Sequence, residues 1–173
     1  MSFINIEIKA RCFYPEKVEA FLLAHNADFI GIDHQKDTYF NVPNGRLKLR
    51  QGNIEKNLIF YNRPDQSGPK QSDFSLAPVP GGDEMEHLLQ QALGIKIIVN
   101  KIRKIFYIAN VKFHIDTVDG LGSFAEIEAS NRHYPDKTVE ELQQQCEHYL
   151  KAFDIKSEDL INNSYSDMLG GMV

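Results

Sequence analysis

The sequence predicts an α+β fold in which an eight-stranded antiparallel sheet closes into a barrel with a charged interior and helices packed outside. Three observations lead to this prediction. Charged and apolar residues alternate with period two in five segments, which is typical of strands with one polar and one apolar face. The helical segments carry apolar faces that also need burial. If the helices cover the apolar face of the sheet, its charged face points inward, and closure removes the exposed edges.

The first half of the chain reads as a meander of strands with one helix near its start. Strand patterns recur at five places, namely 4–9, 36–42, 46–50, 58–63 and 72–76. Pro15 suits the first turn of a helix, which the apolar spacing extends over 15–27. The turn Pro43-Asn44-Gly45 joins two of the strands into a hairpin, and the segment 64–69 is a loop by composition.

The second half continues with alternating helices and strands. A helix over 83–93 follows the Pro80-Gly81-Gly82 break and ends at Gly94. Further strands are predicted at 97–108, 111–118 and 123–130. Thr138 and Glu141 resemble a capping box that opens a helix through Phe153, and a short helical tail covers 157–169.

Composition limits the class of partner. The 173 residues fit a single domain, 1–173, and 42% hydrophobic with 25% charged residues is the balance of an ordinary soluble globular protein. The net charge of -5 argues against general binding to nucleic acid or to an acidic membrane, so an anion site must be local. No apolar run is long enough to span a bilayer, and no signal peptide is visible before the first strand. We therefore expect a cytoplasmic protein.

The polar strand faces are sorted by the sign of their charge. Arg46, Lys48 and Arg50 crowd three cations onto one face, whereas Glu126 and Glu128 place two carboxylates two residues apart. Like charges this close cost stability unless a counter-charge is present. For any one strand, a solvated face or salt bridges within the protein are the simpler alternatives. Together, the strands predict a basic wall and an acidic corner, which suit a polyanion and a divalent metal.

Six segments in chain order carry the motifs of this sheet. They are Asn5-Ile6-Glu7-Ile8-Lys9, Leu47-Lys48-Leu49-Arg50, Lys101-Ile102-Arg103, Phe113-His114-Ile115-Asp116, the hairpin from Gly120 to Glu128, and Ser164-Tyr165. The ordered set resembles the CYTH, or triphosphate tunnel metalloenzyme, superfamily across nearly the whole chain, and it is most similar to class IV adenylyl cyclases. The first segment resembles the E-x-E-x-K signature, with Asn5 where the signature has glutamate.

The resemblance implies an eight-stranded tunnel that binds a triphosphate through cations and a divalent metal through carboxylates. Mg²⁺ or Mn²⁺ needs hard oxygen ligands, and the candidates are Glu7, Glu126, Glu128 and, on the adjoining strand, Asp116. Asn5 can still offer a carbonyl oxygen but supplies no negative charge. Glu126 and Glu128 could instead be salt-bridge partners of nearby Lys or Arg side chains.

Several cations are needed to balance a nucleoside triphosphate in a closed tunnel. The candidate substrate-binding residues are Lys9, Arg46, Lys48, Arg50, Arg63, Lys70, Lys101 and Arg103. Of these, Lys9, Arg50 and Arg103 are the candidate catalytic residues, which would stabilise the charge that develops during the reaction. Arg63 and Lys70 could equally be solvated surface residues.

Two other residue types on these strands have open roles. His114 lies on the charged face and could move a proton, although a hydrogen-bonded wall residue is the more common role. Tyr39, Tyr61 and Tyr165 could stack on a base, although buried tyrosines in a barrel are more common.

The predicted function is that of a metal-dependent enzyme acting on a nucleoside triphosphate, most simply a class IV adenylyl cyclase that converts ATP to cyclic AMP and pyrophosphate. A triphosphatase that hydrolyses thiamine triphosphate, inorganic triphosphate or a nucleotide is the alternative, since the same cations and carboxylates serve both reactions. A non-catalytic triphosphate-binding module is a second alternative, which only Asn5 favours. The expected partner is the small-molecule triphosphate, with no nucleic acid and no membrane, and a homodimer is an open alternative to a monomer.

Overall fold

The computed structural model describes residues 2–62 and 68–171. Within these ranges the chain forms eight strands: β1 Ser2–Arg11, β2 Asp28–Phe40, β3 Arg46–Gln51, β4 Lys56–Asn62, β5 Lys70–Pro78, β6 Ile95–Ile108, β7 Val111–Val118 and β8 Gly122–Ser130. They pair antiparallel in the closed order β1-β5-β4-β3-β2-β6-β7-β8. The predicted antiparallel barrel is therefore confirmed.

The described ranges also contain four α-helices: α1 Pro15–Ala24, α2 Gly82–Leu93, α3 Val139–Ala152 and α4 Tyr165–Gly170. The capping box predicted for α3 is present, because Thr138 accepts from the Glu141 amide and Glu141 accepts from the Thr138 amide. None of these helices combines the length and the apolar run that a membrane crossing requires.

The helices cover the apolar side of the barrel. Ile6, Ile8 and Ile127 are fully buried on the outward face and pack with Leu142 and Cys146 of α3. On the opposite side, Leu49 lies beneath the apolar residues of α2. Because apolar residues fill the outward positions, the alternating residues of the same strands must point into the barrel.

Strand β2 is longer than its sequence pattern predicts, since it begins at Asp28 rather than at residue 36. Its pairing with β6 shifts register between Phe29 and Gly31, and Gly31 adopts a φ of +144°. This irregularity interrupts the period-two alternation that marks a strand in sequence. The additional length brings Asp33 and Gln35 into the barrel interior, where both are buried.

The tail after α3 is less helical than predicted for residues 157–169. A 3-10 turn, Ser157–Asp159, is followed by an extended segment in which the Ile161 amide donates to the Lys9 carbonyl at 2.9 Å. Helix α4 then packs across one end of the barrel, where the Tyr165 ring lies tilted against Phe124 and joins Val99 and Val118 in a small apolar core. This end of the barrel is therefore filled.

Candidate active site

A cavity of about 320 Å³ runs through the barrel and is lined by side chains from all eight strands. It extends from Tyr165 at the filled end to the exposed residues Arg132, His133 and Tyr134 at the other end. The charged residues that line it and were predicted from alternation are Glu7, Lys9, Lys48, Arg50, Lys101, Arg103, Glu126 and Glu128. These residues come from four strands, β1, β3, β6 and β8, and barrel closure brings them together.

One buried carboxylate, Asp37 on β2, holds three of the cations. Arg50 donates to both Asp37 oxygens at 2.9 and 2.8 Å, and Lys101 Nζ lies 2.7 Å from Asp37 Oδ2. Lys48 Nζ is 3.6 Å from the same oxygen. Burial alone would raise the pKa of Asp37, but the three surrounding cations outweigh it and hold that pKa well below its usual value. Asp37 is therefore a fixed negative charge within the basic wall.

The pKa of Lys101 is shifted towards neutral pH. Burial lowers the pKa of its ammonium group to about 7, and repulsion by Arg50 and Arg103 acts in the same direction against the attraction of Asp37. The physical cause is that three cations share one carboxylate in a space where water is excluded. Lys101 can therefore change its charge close to neutral pH.

A second ion-pair network surrounds Arg103. Its guanidinium makes a two-pronged contact with Asp116, with Nε–Oδ1 and Nη2–Oδ2 distances of 2.7 and 2.6 Å, and also reaches Glu126 Oε2 at 3.2 Å. The Tyr165 hydroxyl donates to Asp116 Oδ2 at 2.8 Å. Asp116 is fully buried and does not line the cavity. Asp116 thus orients Arg103, whose Nη2 atom also links it to Glu126, whereas the cluster of possible ligand atoms consists of His114, Glu126 and Glu128.

The acidic corner is formed by β1 and β8, where Glu7 pairs in register with Glu128, and Lys9 with Glu126. Lys9 Nζ lies 3.1 Å from Glu126 Oε1, and His114 Nδ1 lies 2.9 Å from Glu126 Oε2. Burial would raise the pKa of Glu126, but Lys9 and Arg103 lower it well below its usual value. Glu126 is therefore ionised at neutral pH, as a metal ligand must be.

This corner fits a divalent metal ion. Ligand atoms of His114, Glu126 and Glu128 lie within 4.8 Å of one another. Asn5 also lines the cavity, and within the described ranges its buried Oδ1 accepts no hydrogen bond. Carboxylate and amide oxygens are the hard donors that Mg²⁺ and Mn²⁺ use, and Glu126, Glu128 and Asn5 line the same cavity. A salt bridge from Lys9 coexists with this arrangement, so both roles proposed for Glu126 are compatible with the geometry.

The turn between β3 and β4 adds a further carboxylate to the cavity, that of Glu55. Glu55 pairs with Arg50 at 2.8 Å and with Lys112. Asp33 positions the turn by accepting hydrogen bonds from the Ile54 and Glu55 amides at 2.9 and 3.0 Å. The turn approaches Asp33 closely at Gly52, where a Cβ atom would lie 2.5 Å from Asp33 Oδ1.

Sequence reasoning missed Asp33, Asp37, Glu55 and Lys112. Asp33, Gln35 and Asp37 alternate on β2, but the residues between them, His34 and Lys36, are also polar, so this segment lacks the charged-apolar alternation that marks the other strands. Lys112 alternates with His114 and Asp116 on β7 and shares their inward phase. Glu55 lies in a turn, where no alternation exists to assign its direction.

The wall opposite the charges is apolar. Strands β4 and β5 contribute Ile59, Tyr61, Phe74, Leu76 and Pro78 to the cavity. The ring of Phe74 stacks on Tyr61, with centroids 5.3 Å apart, and on Phe3 at 6.0 Å. A cation lies over each end of this aromatic row, since Lys48 Nζ is 5.3 Å from the Tyr61 ring and Arg132 Cζ is 5.2 Å from the Phe3 ring.

Three predicted phosphate contacts are not among the cavity-lining residues. Arg46 instead pairs with Asp167 of α4 at 2.8 Å and lines a smaller surface pocket. Lys70 is the first residue of β5 rather than a loop residue, and its buried Nζ donates to the Asn162 carbonyl at 2.6 Å. Arg63 falls outside the described ranges.

Comparison with known proteins agrees with this architecture. A curated relative, "Putative adenylate cyclase MJ0240" from Methanocaldococcus jannaschii, is 28% identical over 182 residues, which cover 96% of this chain and 99% of the relative. The structure of PH1012 from Pyrococcus horikoshii superposes with a TM-score of 0.77 at 23% identity, covering 94% of this chain and 98% of that one.

HpAC1 from Hippeastrum, which is described by its dominant triphosphatase activity, superposes with a TM-score of 0.61 at 11% identity, covering 96% of this chain and 93% of that one. At such low sequence identity, the two solved structures support only the shared fold. The model of the CYTH domain family matches residues 4–165, which is nearly the whole chain. The chain therefore belongs to the CYTH domain family.

Proposed function

We propose that this protein is a divalent-metal-dependent enzyme that acts on a triphosphate inside the barrel, and that its reaction is the conversion of ATP to cyclic AMP and pyrophosphate. The observation that carries the proposal is the presence of Arg50, Lys101 and Arg103 in one cavity with the acidic corner of Glu7, Glu126 and Glu128. The cations can bind a chain of phosphates, and the carboxylates of the acidic corner can bind the metal ion that accompanies it.

The cations are preorganised for a polyanion by Asp37. In the ligand-free protein this carboxylate holds Arg50, Lys48 and Lys101 around one point. A phosphate that enters beside these cations therefore meets side chains whose positions are already set. Because binding does not have to order them, its cost in side-chain entropy is small. Arg50 is suited to a forked contact with phosphate, and the two lysines act as compact charges.

Lys9 and Arg103 connect the basic wall to the acidic corner, because both contact Glu126. In the cyclase reaction the ribose 3′ oxygen attacks the α-phosphorus and pyrophosphate leaves. Lys9 and Arg103 would stabilise the negative charge that develops on the phosphate oxygens. Glu7, Glu126 and Glu128, with the amide oxygen of Asn5, would hold the metal, which when bound supplies polarisation of phosphate oxygens and charge neutralisation.

The apolar wall favours a nucleotide over the other triphosphates. Inorganic triphosphate has no group that could use the row of Phe3, Phe74 and Tyr61, whereas a nucleobase can stack on such rings. Thiamine carries a positive charge on its thiazolium ring, and the cations over both ends of the row would repel it. ATP therefore fits the cavity better than thiamine triphosphate does.

A triphosphatase reaction is the second candidate, in which water attacks the γ-phosphorus. It is favoured by the dominant triphosphatase activity named for the structurally similar HpAC1. The same cations and carboxylates would serve this reaction, so the two candidates differ in which phosphorus lies beside the metal.

The products formed from a panel of triphosphates test the proposal. The protein would be incubated with ATP, thiamine triphosphate or inorganic triphosphate and with Mg²⁺ or Mn²⁺, and Glu128→Gln would serve as the matched inactive variant. We expect cyclic AMP and pyrophosphate from ATP, and no product with the variant. Diphosphate and phosphate as products would establish the triphosphatase instead. Tight binding without turnover of any substrate would establish a binding module.

A further inference from the structure

We propose that Arg50 and Lys112 form a phosphate-binding subsite, which the carboxylate of Glu55 occupies in the ligand-free protein and leaves when a triphosphate binds. The inference rests on the proposed function, because it takes the anion to be a phosphate group of the substrate in the same cavity. It adds Lys112 to the cations that bind the substrate, and it makes Glu55 a competitor of the substrate for that position.

The carboxylate of Glu55 lies between cations from two strands that are not neighbours in the barrel. Its Oε2 atom is 2.8 Å from Arg50 Nη1 on β3, and its Oε1 atom contacts Lys112 Nζ on β7. Gln35 on β2 donates to the same Oε2 atom at 3.1 Å. Glu55, Arg50 and Lys112 all line the cavity. Guanidinium and ammonium groups that converge on one oxyanion are also the donors that bind phosphate.

Arg50 divides its donors between two carboxylates that differ in exposure. Its Nε and Nη2 atoms donate to Asp37, whose side chain is 1% exposed, whereas Nη1 donates to Glu55, whose side chain is 18% exposed. Asp33 accepts from the backbone amide of Glu55 at 3.0 Å, so the turn stays in place and only the Glu55 side chain has to rotate. A phosphate can therefore reach the Nη1 side of Arg50 by displacing Glu55 while Asp37 remains bound.

Lys112 needs a negative charge at this position. Burial would lower the pKa of its ammonium group, but Glu55 and Glu128 outweigh burial and raise that pKa above its ordinary value. Lys112 is therefore charged at neutral pH. Departure of Glu55 removes one of its counter-charges, and a triphosphate, which carries several negative charges, replaces it. The exchange thus keeps Lys112 paired.

The test is calorimetric titration of inorganic triphosphate into metal-free wild-type and variant proteins at one ionic strength. Glu55→Gln should tighten binding by about tenfold, because it removes a negative charge from the subsite and keeps the length of the side chain. Lys112→Met should weaken binding by about the same factor. Glu19→Gln is the matched control, since Glu19 pairs with Lys104 away from the cavity lining, and it should leave the affinity unchanged.

A double-variant cycle shows whether Glu55 and the triphosphate compete for the same cation. If they do, the gain from Glu55→Gln should be smaller in a Lys112→Met background. Unchanged or weaker binding in Glu55→Gln, or an equal gain in Glu19→Gln, would overturn the inference and leave Glu55 as a structural ion-pair partner. The measurement needs no turnover, so absence of cyclic AMP with the tighter binding intact would count against the proposed reaction alone.

Discussion

Asn5 is the residue at which this chain departs from the E-x-E-x-K signature. It is 5% exposed and lines the cavity, and its buried Oδ1 atom has no hydrogen-bond partner in the described ranges. It lies one inward position before Glu7 on β1. An amide oxygen in this place can contact a metal ion or a metal-bound water without adding charge.

We predict that Asn5→Glu is tolerated and tightens binding of Mg²⁺ and Mn²⁺. The variant adds a negative charge beside the carboxylates of the acidic corner, which attracts a cation. Titration of both ions into wild-type and variant protein measures the effect. A weaker metal response in Asn5→Glu would mean that Asn5 instead donates a hydrogen bond from its amide nitrogen to the substrate, because an ionised glutamate cannot donate.

A second residue-scale prediction concerns pH and Lys101. Its pKa is lowered from the ordinary 10.5 to about 7 by burial, so the protein loses this positive charge just above neutral pH. A triphosphate binds the protonated form more tightly, so ATP affinity in the absence of metal should weaken as the pH rises above 7, by at most about tenfold per pH unit. The stability of the ligand-free protein should change in the opposite sense. Between the pKa of about 7 in the folded protein and the ordinary pKa of 10.5 in the unfolded chain, Lys101 is protonated only in the unfolded chain. The free energy of unfolding therefore rises with pH in this range.

Calorimetric titration of ATP between about pH 7.5 and 9.5 measures this dependence, and Lys101→Met provides the reference. The variant should bind more weakly at the lower pH and show a flatter profile. Equal slopes in both proteins would contradict the assignment of the titration to Lys101.

At the scale of elements, the barrel divides into a charged half and an apolar half. Strands β4 and β5 pair with each other and direct Ile59, Tyr61, Phe74 and Leu76 inward. The strands around them carry the cations and carboxylates. A ligand that touches both halves has to combine a polyanion with an apolar group, and a nucleotide does so.

We predict that Phe74→Leu weakens ATP binding on the order of tenfold and leaves the binding of inorganic triphosphate unchanged, because a lost base-stacking surface affects only the nucleotide. Competition calorimetry with the two ligands measures the difference. Phe29→Leu is the matched control, since Phe29 lies on β2 outside the cavity lining and is 48% exposed. An equal loss for both ligands would mean that the variant disturbs the cations rather than a base site.

At the scale of the whole molecule, barrel closure determines stability as well as function. Closure buries Arg50, Lys101 and Arg103 at 7%, 4% and 2% exposure, so each cation depends on a nearby carboxylate. Burial of paired charges is tolerated, but removal of one partner leaves an uncompensated charge in a low-dielectric interior. Asp37 is the partner on which the basic wall depends most.

We predict that Asp37→Asn lowers the free energy of unfolding of the ligand-free protein by about 3–5 kcal/mol. Inorganic triphosphate should recover more stability in this variant than in the wild-type protein, because its phosphates replace the missing negative charge. Urea denaturation with and without the ligand measures both effects. Asp154→Asn removes a carboxylate from an exposed pair with Lys156, and a loss in Asp37→Asn no larger than in this control would contradict the prediction.

The sequence by itself determined the strands, their inward phase and the membership of the family. Period-two alternation assigns each residue to a face of its strand without reference to any other strand, so Lys9, Arg50, Arg103 and Glu128 could be assigned to one interior. The same local rule fails where the backbone is irregular, and the bulge at Gly31 concealed the first residues of β2.

Only the tertiary structure decided which inward residues meet across the barrel. Asp37 on β2 and Glu55 in a turn hold the cations, and Asp116 orients Arg103 rather than joining the acidic corner. Arg46 shares its phase with Arg50 but pairs with α4 at the end of the barrel. The physical reason is that alternation sets the direction of a side chain, whereas its partner depends on strand stagger and closure, which join residues far apart in sequence.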